Sequence, residues 1–299
     1  MKNSILFTFF ILGTSFTLFA QNKSDKLVLQ NETKEVLVKE VGLSEIKYTF
    51  PNEETIYTIN KFLVKKIVFG SGREEIIDVP FKEVSGLGDM DKVFVTYNPS
   101  EVEGLINLGQ LYSKATGVTV FSNMSTVKNR SLDKMKAEAT MIGANAVLIS
   151  DAQSRGNYYG NETSPSQSTQ TVLFGQAYST KKNNLDKWKD ALESSNVVFY
   201  QKHSLNRNDF SPKMEMALKY DENRMPIINQ ITDIKIIDER MFVKVSDMRS
   251  KMEELEVINY EDGALTLMEK HRNTIYNYIM MTEESDFMKS IQSIVGANK

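Results

Sequence analysis

The chain has 299 residues, a net charge of −3 with both signs interspersed, and no cysteine. These facts exclude disulfides, thiol catalysis and cysteine-based metal sites, and no basic block offers a nucleic-acid footprint. The length allows two or three domains held by core burial alone.

Residues 1–20 read as a secretory signal peptide. Lys2 supplies the positive n-region, Ile5–Leu12 the apolar core, and Ala20 the small residue before a cut between Ala20 and Gln21. The apolar core is shorter than the roughly 20 residues of a membrane span, and the polar Gln21-Asn22-Lys23-Ser24-Asp25 follows it. Without cysteine, no lipid can be attached at the cleavage point. The mature chain is therefore expected to be periplasmic or secreted, with no membrane span and no lipid anchor.

The class expected is α+β and multi-domain. Residues 21–80 form a small β module. In it Val36, Val38 and Val41, then Ile46, Tyr48 and Phe50, alternate as a half-buried strand does, with turns at Pro51-Asn52 and Gly70-Ser71-Gly72. Glu45-Ile46-Lys47-Tyr48, Ile56-Tyr57-Thr58-Ile59 and Lys65-Lys66-Ile67 resemble a module of exported proteins from Bacteroidetes-type bacteria, which carries no known activity. Residues 81–91 read as a linker with Ser85-Gly86-Leu87-Gly88-Asp89 as its flexible centre.

Residues 92–180 are expected to form an αβ domain. Lys92–Tyr97, Leu108–Ser113 and Val118–Phe121 read as strands. Ser131 reads as a helix N-cap with Asp133 in the first turn, and Leu132, Met135, Ala139 and Ile142 recur at helical spacing. In the motif Gly143-Ala144-Asn145-Ala146, Gly143 ends the helix, the alanines permit close helix–strand approach, and Asn145 bonds free backbone groups before the buried strand Val147–Ile149. This is read as a folding motif, not a binding one. Residues 152–169, rich in Ser, Gly, Asn and Gln, read as a long mobile loop. Its Arg155, Asn157, Tyr158 and Tyr159 are the candidate contact residues, because aromatics on loops often make binding contacts. Thr171–Tyr178 closes the sheet.

The order Val93–Pro99, Leu108–Ser113, a helix ending Ala137-Glu138-Ala139 and Gly143–Leu148, then Gly175-Gln176-Ala177, resembles the domain of the Rcs-pathway outer-membrane sensor lipoprotein. It is similar, more loosely, to the YbjQ family of small αβ proteins. The likeness covers about a third of the chain and implies the fold. The sensor's lipid anchor and disulfides have no counterpart here, nor does the metal binding assigned to YbjQ-like proteins.

Residues 181–196 carry a connecting helix on which Leu185, Trp188 and Leu192 form one stripe, with Trp188 as a core or interface anchor. Residues 197–299 are expected to be an antiparallel sheet or partial barrel closed by a helix. Strands are placed at Met214–Tyr220, Ile231–Ile237, Met241–Val245, Leu255–Tyr260, Leu265–Glu269 and Ile275–Met281. Asp262-Gly263 marks a hairpin. Thr282 caps a last helix with Phe287, Ile291 and Ile294 on its apolar face and Gly296 at its end. His203 and His271 have no companions at metal-ligand spacing, and no nucleophile motif or phosphate loop occurs. The function expected is therefore a non-enzymatic envelope protein, without catalytic residues, cofactor or metal, that binds other envelope proteins. The alternative is a small-ligand binder with a lipocalin-like C-terminal cavity.

Overall fold

The computed structural model describes residues 23–29, 32–248 and 250–297. The expected leader with its Ala20–Gln21 cleavage point, and the side chain of Ile294, lie outside what is described. Among the described residues strand far outweighs helix, so sheets carry the fold.

The first sheet is antiparallel throughout. It contains β1 (Asp25–Leu29), β2 (Thr33–Val41), β3 (Glu45–Thr49), β4 (Tyr57–Asn60), β5 (Val64–Val68) and β6 (Glu74–Ile76), in the order β4-β3-β2-β1-β5-β6. One face buries Leu27, Val36, Ile46, Tyr48, Val64 and Ile67. Both expected turns are present, with Asn52 and Gly72 at positive φ.

The linker expected over 81–91 is packed instead. Leu87–Lys92 forms a 3-10 turn, and Val84, Leu87, Met90 and Val93 all join the central core. Their spacing of three matches the 3-10 period, which turns them to one side. Glycine and serine between them masked this pattern.

The second sheet holds β7 (Phe94–Thr96), β8 (Ile106–Thr116), β9 (Ala146–Arg155) and β10 (Gln170–Ser179), in the order β7-β9-β10-β8, with β7 parallel to β9. Helix α1 (Met124–Met141) packs on it. The helix starts seven residues before the expected cap. Asn123 is the cap, its side chain accepting from the Ser125 N–H at 2.7 Å. Ser131 lies in mid-helix, fully buried. Its hydroxyl donates to Ser113 Oγ at 3.3 Å, and Ser113 donates to the Ser131 carbonyl at 2.6 Å. The small side chains let the helix approach β8 closely. Val118–Phe121 is a turn, not a strand.

Gly143 ends α1 with φ +83. Asn145 then ties four segments together. Its Nδ2 donates to the Lys82 carbonyl at 3.1 Å and to Thr180 Oγ1 at 2.7 Å, and its Oδ1 accepts from the Thr180 N–H at 3.1 Å. Its backbone N–H donates to Tyr178, and its carbonyl accepts from Phe94.

The third sheet follows α2 (Leu185–Leu192). It comprises β11 (Asn196–Asn206), β12 (Lys213–Met216), β13 (Ile228–Ile237), β14 (Arg240–Val245), β15 (Leu255–Glu261), β16 (Ala264–His271) and β17 (Thr274–Thr282). Neighbouring strands pair from β13 through to β17, β17 pairs β11, and β11 pairs β13 at Asn196–Val198, so six strands close into a barrel with β12 added at the side. Asp262 and Gly263 both take positive φ, as a two-residue type I′ hairpin requires. Trp188 and Leu192 from α2 join Val197, Ile231, Met241, Leu255, Leu265, Leu267 and Met280 in the barrel core. These side chains occupy the interior where a lipocalin-like ligand would sit.

Helix α3 (Asp286–Ala297) runs past Gly296, and Thr282 is the last residue of β17. The cap is Ser285, whose Oγ accepts from the Met288 N–H at 3.3 Å. Phe287 stands edge-on to Tyr200, with ring centres 5.2 Å apart.

The αβ unit and the barrel share one core. Met135, Ala139, Met141 and Ile142 of α1 pack against Leu205, Met268 and Ile275 on the outer face of the barrel. Each large apolar side chain so buried contributes about 1.5–3 kcal/mol. Asn277 Nδ2 donates to the Met141 carbonyl at 2.9 Å inside this contact.

Candidate functional site

Two regions gather residues of chemical interest, one on the αβ unit and one between that unit and the barrel. The first is an arm made from the segment expected to be a mobile loop. Strand β9 runs through Arg155 and pairs with β10 as far as Arg155↔Gln170. Beyond it, Tyr158 pairs with Gln167 and Asn161 with Ser164, so β9 and β10 continue as a narrow hairpin. Tyr158 and Gln167 exchange two backbone bonds of 2.8 and 2.7 Å. At the tip, Asn161 Oδ1 accepts from the N–H groups of Thr163 and Ser164. Residues 151–159 are all exposed. With no buried face, the segment lacks the alternation that marks a strand, and its polar composition imitates a loop.

Of the four candidate contact residues, Arg155 belongs to β9 and reaches Gln170 Oε1 at 3.4 Å, while Asn157, Tyr158 and Tyr159 lie on the arm. The structure adds a partner from a distant part of the chain. The Phe121 ring lies 5.8 Å from that of Tyr159, and the two residues are 80% and 65% exposed. Val118, three residues before Phe121, is also exposed. The arm is braced at its root, where Thr169 Oγ1 donates to the Ser122 carbonyl at 3.0 Å and the Gly117 N–H donates to the Thr169 carbonyl at 2.7 Å. No signal in the sequence marks Phe121, because Val118–Phe121 reads there as a short strand.

The second region is a cleft of about 360 Å³ where β8 and α1 meet the end of β11 and the β16–β17 turn. Lys134, Glu138, Arg207, Lys270 and Arg272 line it, with Tyr112 and Phe174 as its rings. Lys134 is 5% exposed and donates to the carbonyls of Lys114 and Arg207, both at 2.8 Å. Burial, and then the nearby charge of Arg130, hold its pKa below the usual lysine value. Burial also raises the Glu138 carboxyl, against the pull of Lys270 at 3.7 Å. The Arg207 guanidinium stacks over Tyr112 at 4.2 Å, and Tyr112 meets Phe174 at 5.1 Å. A smaller cleft of about 210 Å³ continues past Lys134 and Arg207 to Arg130, Phe210 and Val118, next to the arm.

Of the two histidines, His271 ends β16. His203 is buried on β11 with no hydrogen-bond partner for Nε2, and burial lowers its pKa. Among the described residues, no three His, Asp or Glu groups stand close enough to share a metal ion, and no helix is long and apolar enough to cross a membrane.

No known protein family, curated protein or solved structure matches this chain.

Proposed function

We propose that the chain is an exported, non-enzymatic cell-envelope protein, periplasmic or secreted, that binds a protein partner through its hairpin arm. The observation that carries this reading is the Phe121–Tyr159 ring pair, exposed on a braced arm. Aromatic rings held in place and surrounded by polar residues are what partner-binding surfaces use as anchors. An arm already paired as a hairpin also lowers the ordering cost of association. The export half of the reading rests on residues 1–20.

We also infer a multi-domain chain. Residues 21–80 form one module, whose apolar cluster draws on no residue beyond Val79. The αβ unit and the barrel form a second body through their shared core.

The test is a paired affinity purification from envelope extract with the native chain and a Phe121→Ser/Tyr159→Ser variant. A protein that co-purifies stoichiometrically with the native chain is expected to be lost with the variant, whose melting temperature stays unchanged because both side chains are exposed. Retention of that protein by the variant overturns the assignment of the arm. Recovery of the native chain with its N-terminus at Met1 in the membrane fraction overturns the export reading.

A further inference from the structure

The cleft between the αβ unit and the barrel concentrates four cations around one carboxylate. Elsewhere on the sheets, Lys47, Lys66, Lys235 and Lys244 each make an ion pair with a glutamate. In the cleft only Lys270 has such a partner, Glu138. Among the described residues, no carboxylate oxygen lies within 4.0 Å of Arg207, Arg272 or Lys134. The next cleft repeats this pattern, since its one carboxylate, Asp209, pairs with Lys213 at 3.0 Å and stands against Lys114, Arg130, Lys134 and Arg207. Like charges packed together without counter-charges repel, so such a grouping costs stability unless an anion joins it. In a chain of net charge −3, it is not a by-product of a basic composition.

Two of the cations, Lys134 and Arg207, are also held in position. The Lys134 ammonium is fixed by two carbonyls, which use two of its three N–H bonds. Arg207 is laid flat on Tyr112, and its backbone N–H donates to the Asn273 carbonyl at 2.9 Å, tying it to the turn that carries Arg272. Asn206 Nδ2 reinforces this tie through Thr274 Oγ1 at 2.7 Å. Planar guanidinium groups bind carboxylate or phosphate oxygens in pairs, and positioning them beforehand adds specificity. The volume of about 360 Å³ is that of a small-molecule site.

We propose that this cleft binds a small molecule through a dianionic oxyanion head, a phosphate monoester or a pair of carboxylates, gripped by Arg207 and Arg272 beside Lys134, with the apolar body of the ligand against Phe174. Lys134, Arg207, Lys270 and Arg272 face the single carboxylate of Glu138, which pairs with Lys270 and also acts on Lys134 and Arg207, so the cleft keeps an excess of positive charge for a head of two negative charges. This site uses different residues from the arm and stands or falls without it.

The test is isothermal titration of the purified chain at constant ionic strength with phenyl phosphate, with phthalate, and with benzyl alcohol as the neutral control. Saturable 1:1 binding of one or both anions is expected, with none for the alcohol. Binding of phenyl phosphate alone assigns a phosphate ester, binding of phthalate alone a dicarboxylate, and binding of both a site that reads charge and spacing. Arg207→Gln and Arg272→Gln should each weaken binding about tenfold or more. Lys66→Gln, on the first sheet, should leave it unchanged. Both arginines are exposed, so melting curves of these variants should match the native chain. The proposal is overturned if neither anion saturates, if the arginine variants fold and bind as the native chain does, or if Lys66→Gln weakens binding equally.

Discussion

Replacing Asn145 by alanine removes three side-chain hydrogen bonds, to the Lys82 carbonyl, Thr180 Oγ1 and the Thr180 N–H. The backbone bonds of Asn145 to Phe94 and Tyr178 survive the change. Net contributions of about 1 kcal/mol per bond predict a loss of about 2–3 kcal/mol in unfolding free energy. For a chain of this size, that lowers the melting midpoint by roughly 5–10 °C. Asn145→Asp makes the prediction sharper. It keeps an oxygen to accept from Thr180 N–H but loses both donors, and it sets a carboxylate against the Lys82 carbonyl, so it should be no better than alanine. Urea denaturation read by Trp188 fluorescence gives both values, and an unchanged slope would confirm that the native and unfolded states are otherwise comparable. If both variants lose less than about 0.5 kcal/mol, the reasoning that Asn145 joins these segments fails.

Burial depresses the pKa of His203, so its neutral form is favoured in the folded chain. The stability it contributes is present above the unfolded value of about 6.5 and is lost as pH falls below that value. Denaturation at pH 7.5 and pH 5 should show this acid loss in the native chain and a smaller one in His203→Gln; equal losses would refute it. Tyr278→Phe removes the hydroxyl that donates to Glu269 Oε2 at 2.6 Å, leaving the carboxylate, on a residue 2% exposed, with the Lys251 N–H alone. A cost of about 1.5–3 kcal/mol is expected, which Glu269→Leu in the same chain should partly restore. Trp188→Ala should cost about 3–5 kcal/mol by emptying one end of the barrel core, measured by calorimetry. At Gly263, φ is +75 and an added Cβ would stand 2.3 Å from Ser285 N. Gly263→Ala should therefore displace the β15–β16 turn from the start of α3 and lower the melting temperature more than the same change at Gly72, where nothing lies within 4 Å.

What could be read without the structure was local. Gly143 as a helix stop, Asp262-Gly263 as a hairpin and the Leu185–Trp188–Leu192 stripe all depend on residues within one or two turns of each other. Ser131 and Thr282 were misplaced as caps because a small polar side chain suits either a helix start or a close contact between elements. Only the surroundings decide which, and here Ser113 lies against Ser131, while Thr282 Oγ1 donates to the Gly263 carbonyl. The arm over 152–169 was misread because a strand exposed on both faces has no alternation to show.

The amino-acid order by itself determined a cysteine-free chain, the succession of β, αβ and β regions, and the turns that require positive φ. Tertiary structure alone decided that β11 pairs with β17 to close the barrel, that α1 packs on the outer face of that barrel, and that Phe121 meets Tyr159. It also brought Lys134, Arg207 and Arg272, from three separated segments, to one cleft. Each of these depends on contacts between residues tens of positions apart, set by which surfaces are left to bury once the local elements have formed, and no short window of sequence records that.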